Sequence, residues 1–166
     1  MSKTKTSNAS PSYTGRKLAI GVLAAIGLAV GGVVYSLQSS AAPPNIVVYK
    51  SPTCGCCEAW VDHLKANGFN VTVHNQFNMD PVKREKGVPA QLQSCHTAQI
   101  GDYVIEGHVP AADIVRLLQE KPPVKGLTAP GMPQGSPGME GPVSEPYDVL
   151  AFQSDGRTAV YARHNQ

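Results

Sequence analysis

Three of the chain's four cysteines stand in one run, Cys54-Gly55-Cys56-Cys57, between an apolar strand-like segment, Asn45 to Lys50, and an amphipathic helical pattern. Scaffold disulfides staple distant loops. Cysteines this crowded can bridge only each other or the fourth, Cys95. Two chemistries are open to such a cluster. Cys54 and Cys57 can form a redox disulfide, or all the thiols can deprotonate and share soft metal ions. His96 follows Cys95 directly, so the chain offers four sulfurs and an imidazole if folding joins the two segments.

The surrounding pattern alternates strand and helix. Ile46-Val47-Val48-Tyr49, bounded by Pro44 and Ser51-Pro52, reads as a strand covered on both faces. From Cys57 onward, Trp60, Val61 and Leu64 recur at helical spacing, with Glu58, Asp62 and Lys65 on the other face and Gly68 as the stop. Phe69, Val71 and Val73 alternate with polar residues as a second strand, parallel to the first. Asp80 caps a short helix beginning at Pro81 and ending at Gly87, and a short turn leads from Val88 toward Gln93. Thr97 to Ile100 and Tyr103 to Glu106 form a hairpin through Gly101-Asp102. Pro110 opens a last helix with Ala111, Ile114, Val115 and Leu118 inward.

At the N-terminus, Lys3, Lys5, Arg16 and Lys17 precede an uncharged apolar stretch, Leu18 to Leu37, and then small residues up to Ala42. This is an export pattern. The stretch exceeds the roughly 7 to 15 residues of a signal-peptide core and approaches the roughly 20 that span a bilayer. Residues 1–42 are therefore read as a signal peptide or an uncleaved anchor, with the remainder in the periplasm. Four of the 14 Lys and Arg, and none of the 12 Asp and Glu, lie in those 42 residues, so acids slightly outnumber bases in the rest. That balance, with no basic stripe interleaved with aromatics, excludes nucleic acid as a partner.

The element order, with cysteines at the first strand-to-helix turn, resembles the thioredoxin and glutaredoxin fold over about Asn45 to Lys121. The expected fold class is thus α/β, a mixed sheet flanked by helices over residues 43–121, followed by a C-terminal extension over 122–166. In that fold the third strand runs antiparallel to the first. Counting back from Gly101-Asp102 then places Cys95 beside the Cys54 cluster, and Gly107-His108 returns to the same side. Thioredoxins hold a cis-proline where Cys95 falls, and a thiol there suits ligation better than dithiol exchange.

Four thiols and His96 form a pocket suited to Cu(I), which prefers soft sulfur and imidazole. Zinc is the main competitor. Adjacent Cys56 and Cys57 cannot both easily face one tetrahedral ion with Cys54, whereas bridging thiolates serving several copper ions relieve that conflict. Cys54-Gly55-Cys56-Cys57, Ser94-Cys95-His96-Thr97, Glu106-Gly107-His108-Val109-Pro110, and Gly131-Met132-Pro133 with Pro137-Gly138-Met139-Glu140 together resemble the periplasmic copper-resistance proteins called CopG. That resemblance implies a thioredoxin-like domain, a metal-binding C-terminal extension and a role in copper handling. The expected partners are copper ions and a periplasmic copper exporter or chaperone.

Composition alone makes Lys125 to Pro146 a flexible Gly/Pro linker, and Tyr147 to Gln153 with Arg157 to Tyr161 a hairpin around Ser154-Asp155-Gly156. Met132 and Met139 are either gap-fillers or thioether ligands. The candidate metal ligands are thus Cys54, Cys56, Cys57, Cys95, His96, Met132 and Met139, and the candidate catalytic pair is Cys54 and Cys57. No role falls to His63, His74 or His164. The alternative function is a thiol-disulfide oxidoreductase without a physiological metal, attacking through Cys54 and resolving through Cys57. An iron-sulfur protein is a third reading, disfavoured by the export pattern.

Overall fold

The computed structural model describes residues 42–166; the predicted export or anchor segment lies outside them. Among the described residues no helix is long and apolar enough to cross a membrane. Residues 43–166 form one compact unit. In chain order it contains β1 (Asn45–Lys50), α1 (Gly55–Ala66), β2 (Asn70–Asn75), α2 (Asp80–Lys86), a 3-10 turn (Ala90–Leu92), β3 (Thr97–Ile100) and β4 (Tyr103–Glu106). It continues through α3 (Ala111–Glu120), β5 (Gly126–Thr128), β6 (Tyr147–Phe152) and β7 (Thr158–His164).

All seven strands share one mixed sheet in the order β2-β1-β3-β4-β5-β6-β7. β1 pairs parallel to β2 and antiparallel to β3, as the sequence predicts, and β3 pairs antiparallel to β4. β5 pairs parallel to β4 and antiparallel to β6, so the C-terminal hairpin continues the same sheet. The fold class is the expected α/β arrangement of a mixed sheet flanked by helices.

The pleat sends successive side chains to opposite faces. On one face Ile46, Val48, Ile105, Leu127 and Val149 pack with Trp60, Val61 and Leu64 of α1 and Ile114 and Leu117 of α3. On the other, Val104 and Phe152 pack with Val88 and Leu92 from the α2 to 3-10 region. Each fully buried aliphatic or aromatic side chain contributes about 1.5–3 kcal/mol relative to exposure. The two faces together give residues 43–166 a core of their own.

Three local details differ from expectation. α2 begins at Asp80 rather than Pro81, so Met79 and not Asp80 is its N-cap; no side chain caps the helix, and the Asp80 amide donates to Asn78 Oδ1 at 3.0 Å. The inward face of α3 is rotated: Leu117 and Asp113 are buried while Val115 is 38% exposed. Asp113 can be buried because His164 Nε2, from β7, lies 2.7 Å from its carboxylate. β7 runs on to His164, beyond the expected Tyr161, because Ala162, Arg163 and His164 pair with Val149, Asp148 and Tyr147 of β6.

Candidate metal centre

β1 delivers the chain into a tight turn in which the Cys54 amide donates to the Ser51 carbonyl at 3.2 Å. Cys54 is the N-cap of α1, with extended backbone, and its sulfur accepts the Cys57 amide at 3.3 Å. A sulfur thereby takes the place usually filled by a capping oxygen. Cys54 and Cys57 are joined by a disulfide with Cα atoms 5.3 Å apart. Cys56 carries a free thiol 3.5 Å from Cys54 Sγ. Cys57 is fully buried, whereas Cys54, Cys56 and Cys95 are partly exposed.

Cys95 arrives from the opposite limb, just before β3. The sulfurs of Cys54, Cys56, Cys57 and Cys95 all lie within 4.8 Å of one another. Cys95 Sγ is also 3.3 Å from His96 Nδ1 and 3.1 Å from His108 Nε2, so two imidazoles close one side of the cluster. His96 and His108 meet edge to face at 4.9 Å, and His96 lies against Trp60 with centroids 4.3 Å apart. Trp60 is anchored by its indole N–H on the Val109 carbonyl at 2.9 Å.

His108 was not among the expected ligands, and its geometry is that of one. Its Nδ1 lies 2.8 Å from the Pro137 carbonyl, which can only accept, so the hydrogen sits on Nδ1 and the Nε2 lone pair faces Cys95. Metal-ligating histidines are commonly oriented by such a bond on the other ring nitrogen. The sequence signal was the position of His108 at the returning end of the hairpin. The Pro137 contact comes from 29 residues downstream and could not be read from spacing.

Electrostatics favour neutral donors at this end of the pocket. Burial holds His96 well below the usual histidine range, reinforced by neighbouring His108 and Lys83, and burial also lowers His108. The Cys95 thiol is pushed up to about 11, first by desolvation and then by the nearby Cys56 thiol. A cation arriving here must displace that proton. The Nε2 of His96 is buried without a hydrogen-bond partner.

The C-terminal loop covers the cluster through its backbone. A Cβ on Gly138 would sit 2.6 Å from the Cys56 carbonyl and 2.8 Å from the Trp60 amide, so only glycine allows this approach. Met139 is half-buried one residue later, with its amide on the Ser136 carbonyl at 2.8 Å. Met132 is 51% exposed, next to Gly131, whose backbone bridges to Ser94. His63 accepts the Ala111 amide at 3.1 Å, and His74 stacks on Tyr49.

Residues 92–139 match a family model described as a protein of unknown function, DUF411; they span Cys95, His96, His108, Met132 and Met139. No curated protein matches the chain. Among solved structures, the copper resistance protein CopG, form 1, is 45% identical with a TM-score of 0.70, over 75% of this chain and 99% of that one. The chain belongs to the CopG copper-resistance family. CopG form 2 gives the same picture, at 46% identity and a TM-score of 0.70 over 74% of this chain and 98% of that one. The coverage makes residues 43–166 comparable to almost the full length of the solved CopG chains, so the sulfur cluster lies within a shared fold.

Proposed function

We propose that this protein is a periplasmic copper-resistance protein that holds Cu(I) in its reduced form through Cys54, Cys56, Cys57 and Cys95. His96 and His108 complete the donor set, and Met132 and Met139 stand on the loop as thioether donors. The observation that carries this reading is the convergence of four sulfurs within 4.8 Å, with two imidazoles against Cys95. Soft thiolates and imidazole favour Cu(I), and thiolates can bridge more than one ion. The likeness to proteins named for copper resistance supports the physiological role. The N-terminal export pattern supports the compartment.

The Cys54–Cys57 disulfide supplies a redox partner for the metal. Two Cu(II) ions take one electron from each of the two thiolates; the sulfurs join as a disulfide and two Cu(I) ions result. An external dithiol reductant returns the electrons and frees the sulfurs. Copper ions are therefore cargo and oxidant, and a periplasmic copper exporter or chaperone is the class of protein that would exchange them.

The same disulfide, at a helix N-terminus where thiolate charge is favoured, also supports metal-free thiol-disulfide exchange. The two readings separate at Cys95. Residues 43–166, reduced and loaded anaerobically with Cu(I) against a competing chelator, should retain copper by elemental analysis, and Cys95→Ser should lose most of it. Disulfide exchange unaffected by Cys95→Ser, with no copper retained by the parent, would favour the metal-free enzyme.

A further inference from the structure

We infer that Glu106, with Lys83 and Thr97, is a positioning clamp that fixes the Cys95–His96 limb at the cysteine cluster; its role toward copper rests on the reading above. Glu106 is the last residue of β4 and is fully buried. One carboxylate oxygen accepts the Ser94 amide at 2.7 Å and the Lys83 ammonium. The other accepts the Thr97 hydroxyl at 2.6 Å. Ser94 and Thr97 are the residues on either side of Cys95–His96, so one carboxylate grips both ends of the ligand segment.

The segment needs such a grip. The β1–β3 and β3–β4 ladders begin at Thr97, leaving Cys95 and His96 outside the regular pairing. Between the two gripped ends, the Gly107 amide donates to the His96 carbonyl at 3.0 Å. Lys83, itself only 4% exposed, reaches in from α2 to neutralise Glu106 and also touches the Thr97 hydroxyl at 3.1 Å. An apolar pair of similar shape commonly serves a core as well as a buried ion pair. It could not bind an amide and a hydroxyl on two sides of a ligand segment. A buried, charged clamp is therefore best explained by what it holds.

Groups that orient metal ligands typically matter to affinity by about 10–100-fold. Thr97→Val removes one grip with little change of volume, Thr97→Ser keeps it, and Glu106→Gln weakens both. In anaerobic Cu(I) competition with residues 43–166, Thr97→Val and Glu106→Gln should each bind at least about tenfold more weakly and show an altered thiolate-to-copper absorption band. Thr97→Ser should restore both. Leu117→Ala, a core change on α3, controls for lost stability: it should lower the melting temperature and leave the absorption band unmoved. Should Glu106→Gln fail to fold, the Thr97 pair carries the test. A parent that retains copper, with Thr97→Val matching it in affinity and spectrum, overturns the clamp alone. A parent that retains no copper overturns the copper reading, and the clamp's role in it.

Discussion

His96 and Cys95 are adjacent yet respond to protons in opposite ways. His96 stays neutral when folded because burial disfavours its charge, and His108 is lowered in the same direction. In the unfolded chain both take up protons below about pH 6.5. The unfolded state then binds more protons, so stability falls as pH falls, by about 1.4 kcal/mol per pH unit for each histidine still neutral in the fold. Denaturant unfolding of the metal-free protein at pH 7.0 and 5.5 measures this; equal or greater stability at pH 5.5 would contradict it. Cys95, with its thiol near 11, keeps its proton at neutral pH and must release it to bind metal. Cu(I) affinity should therefore rise about tenfold per pH unit between pH 6 and 9 for that one proton, once the competitor's own protonation is corrected. A flat profile would mean that Cys95 is not a ligand.

Individual elements place these residues by different means. The α1 N-terminus holds the cysteine run, the segment just before β3 holds Cys95, and the loop around Gly138 presses on both Cys56 and His108. Gly138→Ala puts a methyl group against the Cys56 carbonyl at a backbone φ of 84°. The expected cost is about 1–3 kcal/mol of stability, seen in denaturant unfolding, with faster hydrogen exchange at the Gly135 and Met139 amides. Unchanged exchange there would mean that the loop is held by other contacts. These elements were unequally legible. β1, α1 and the β3–β4 hairpin show in the sequence because period and turn residues agree. β5 does not: Gly126–Leu127–Thr128 is three residues in a Gly/Pro-rich stretch, and it is a strand because Gly126 lets the chain pass Val104, where a Cβ would meet the carbonyl at 1.8 Å. The rotation of α3 was equally hidden, since Asp113 is buried through His164, 51 residues away. Cys95 was readable because the element order resembles a fold in which the third strand runs antiparallel to the first, and counting back from Gly101-Asp102 then places it. His108 was not assigned, because Pro137 orients it across a loop with no period.

Across residues 43–166, a single sheet runs from the strands beside the cysteines to the C-terminal hairpin. β5 gives β4 its second neighbour, and Leu127, Val149 and Phe152 fill the core on both faces. Truncation after Lys121 would remove these side chains, at about 1.5–3 kcal/mol each, and leave β4 as a bare edge. The truncated protein should unfold or aggregate, by circular dichroism and light scattering; a stable, monomeric fragment would show that the first four strands suffice. The copper proposed here sits among these sulfurs, where the sheet brings Cys95 to the α1 cysteines. Copper-edge X-ray absorption on the reduced, anaerobically loaded protein tests this most directly. A Cu(I) edge with a first shell dominated by sulfur, depleted in Cys95→Ser, is the expected result; a shell of nitrogen and oxygen unchanged by that substitution would rule out copper at the sulfur cluster.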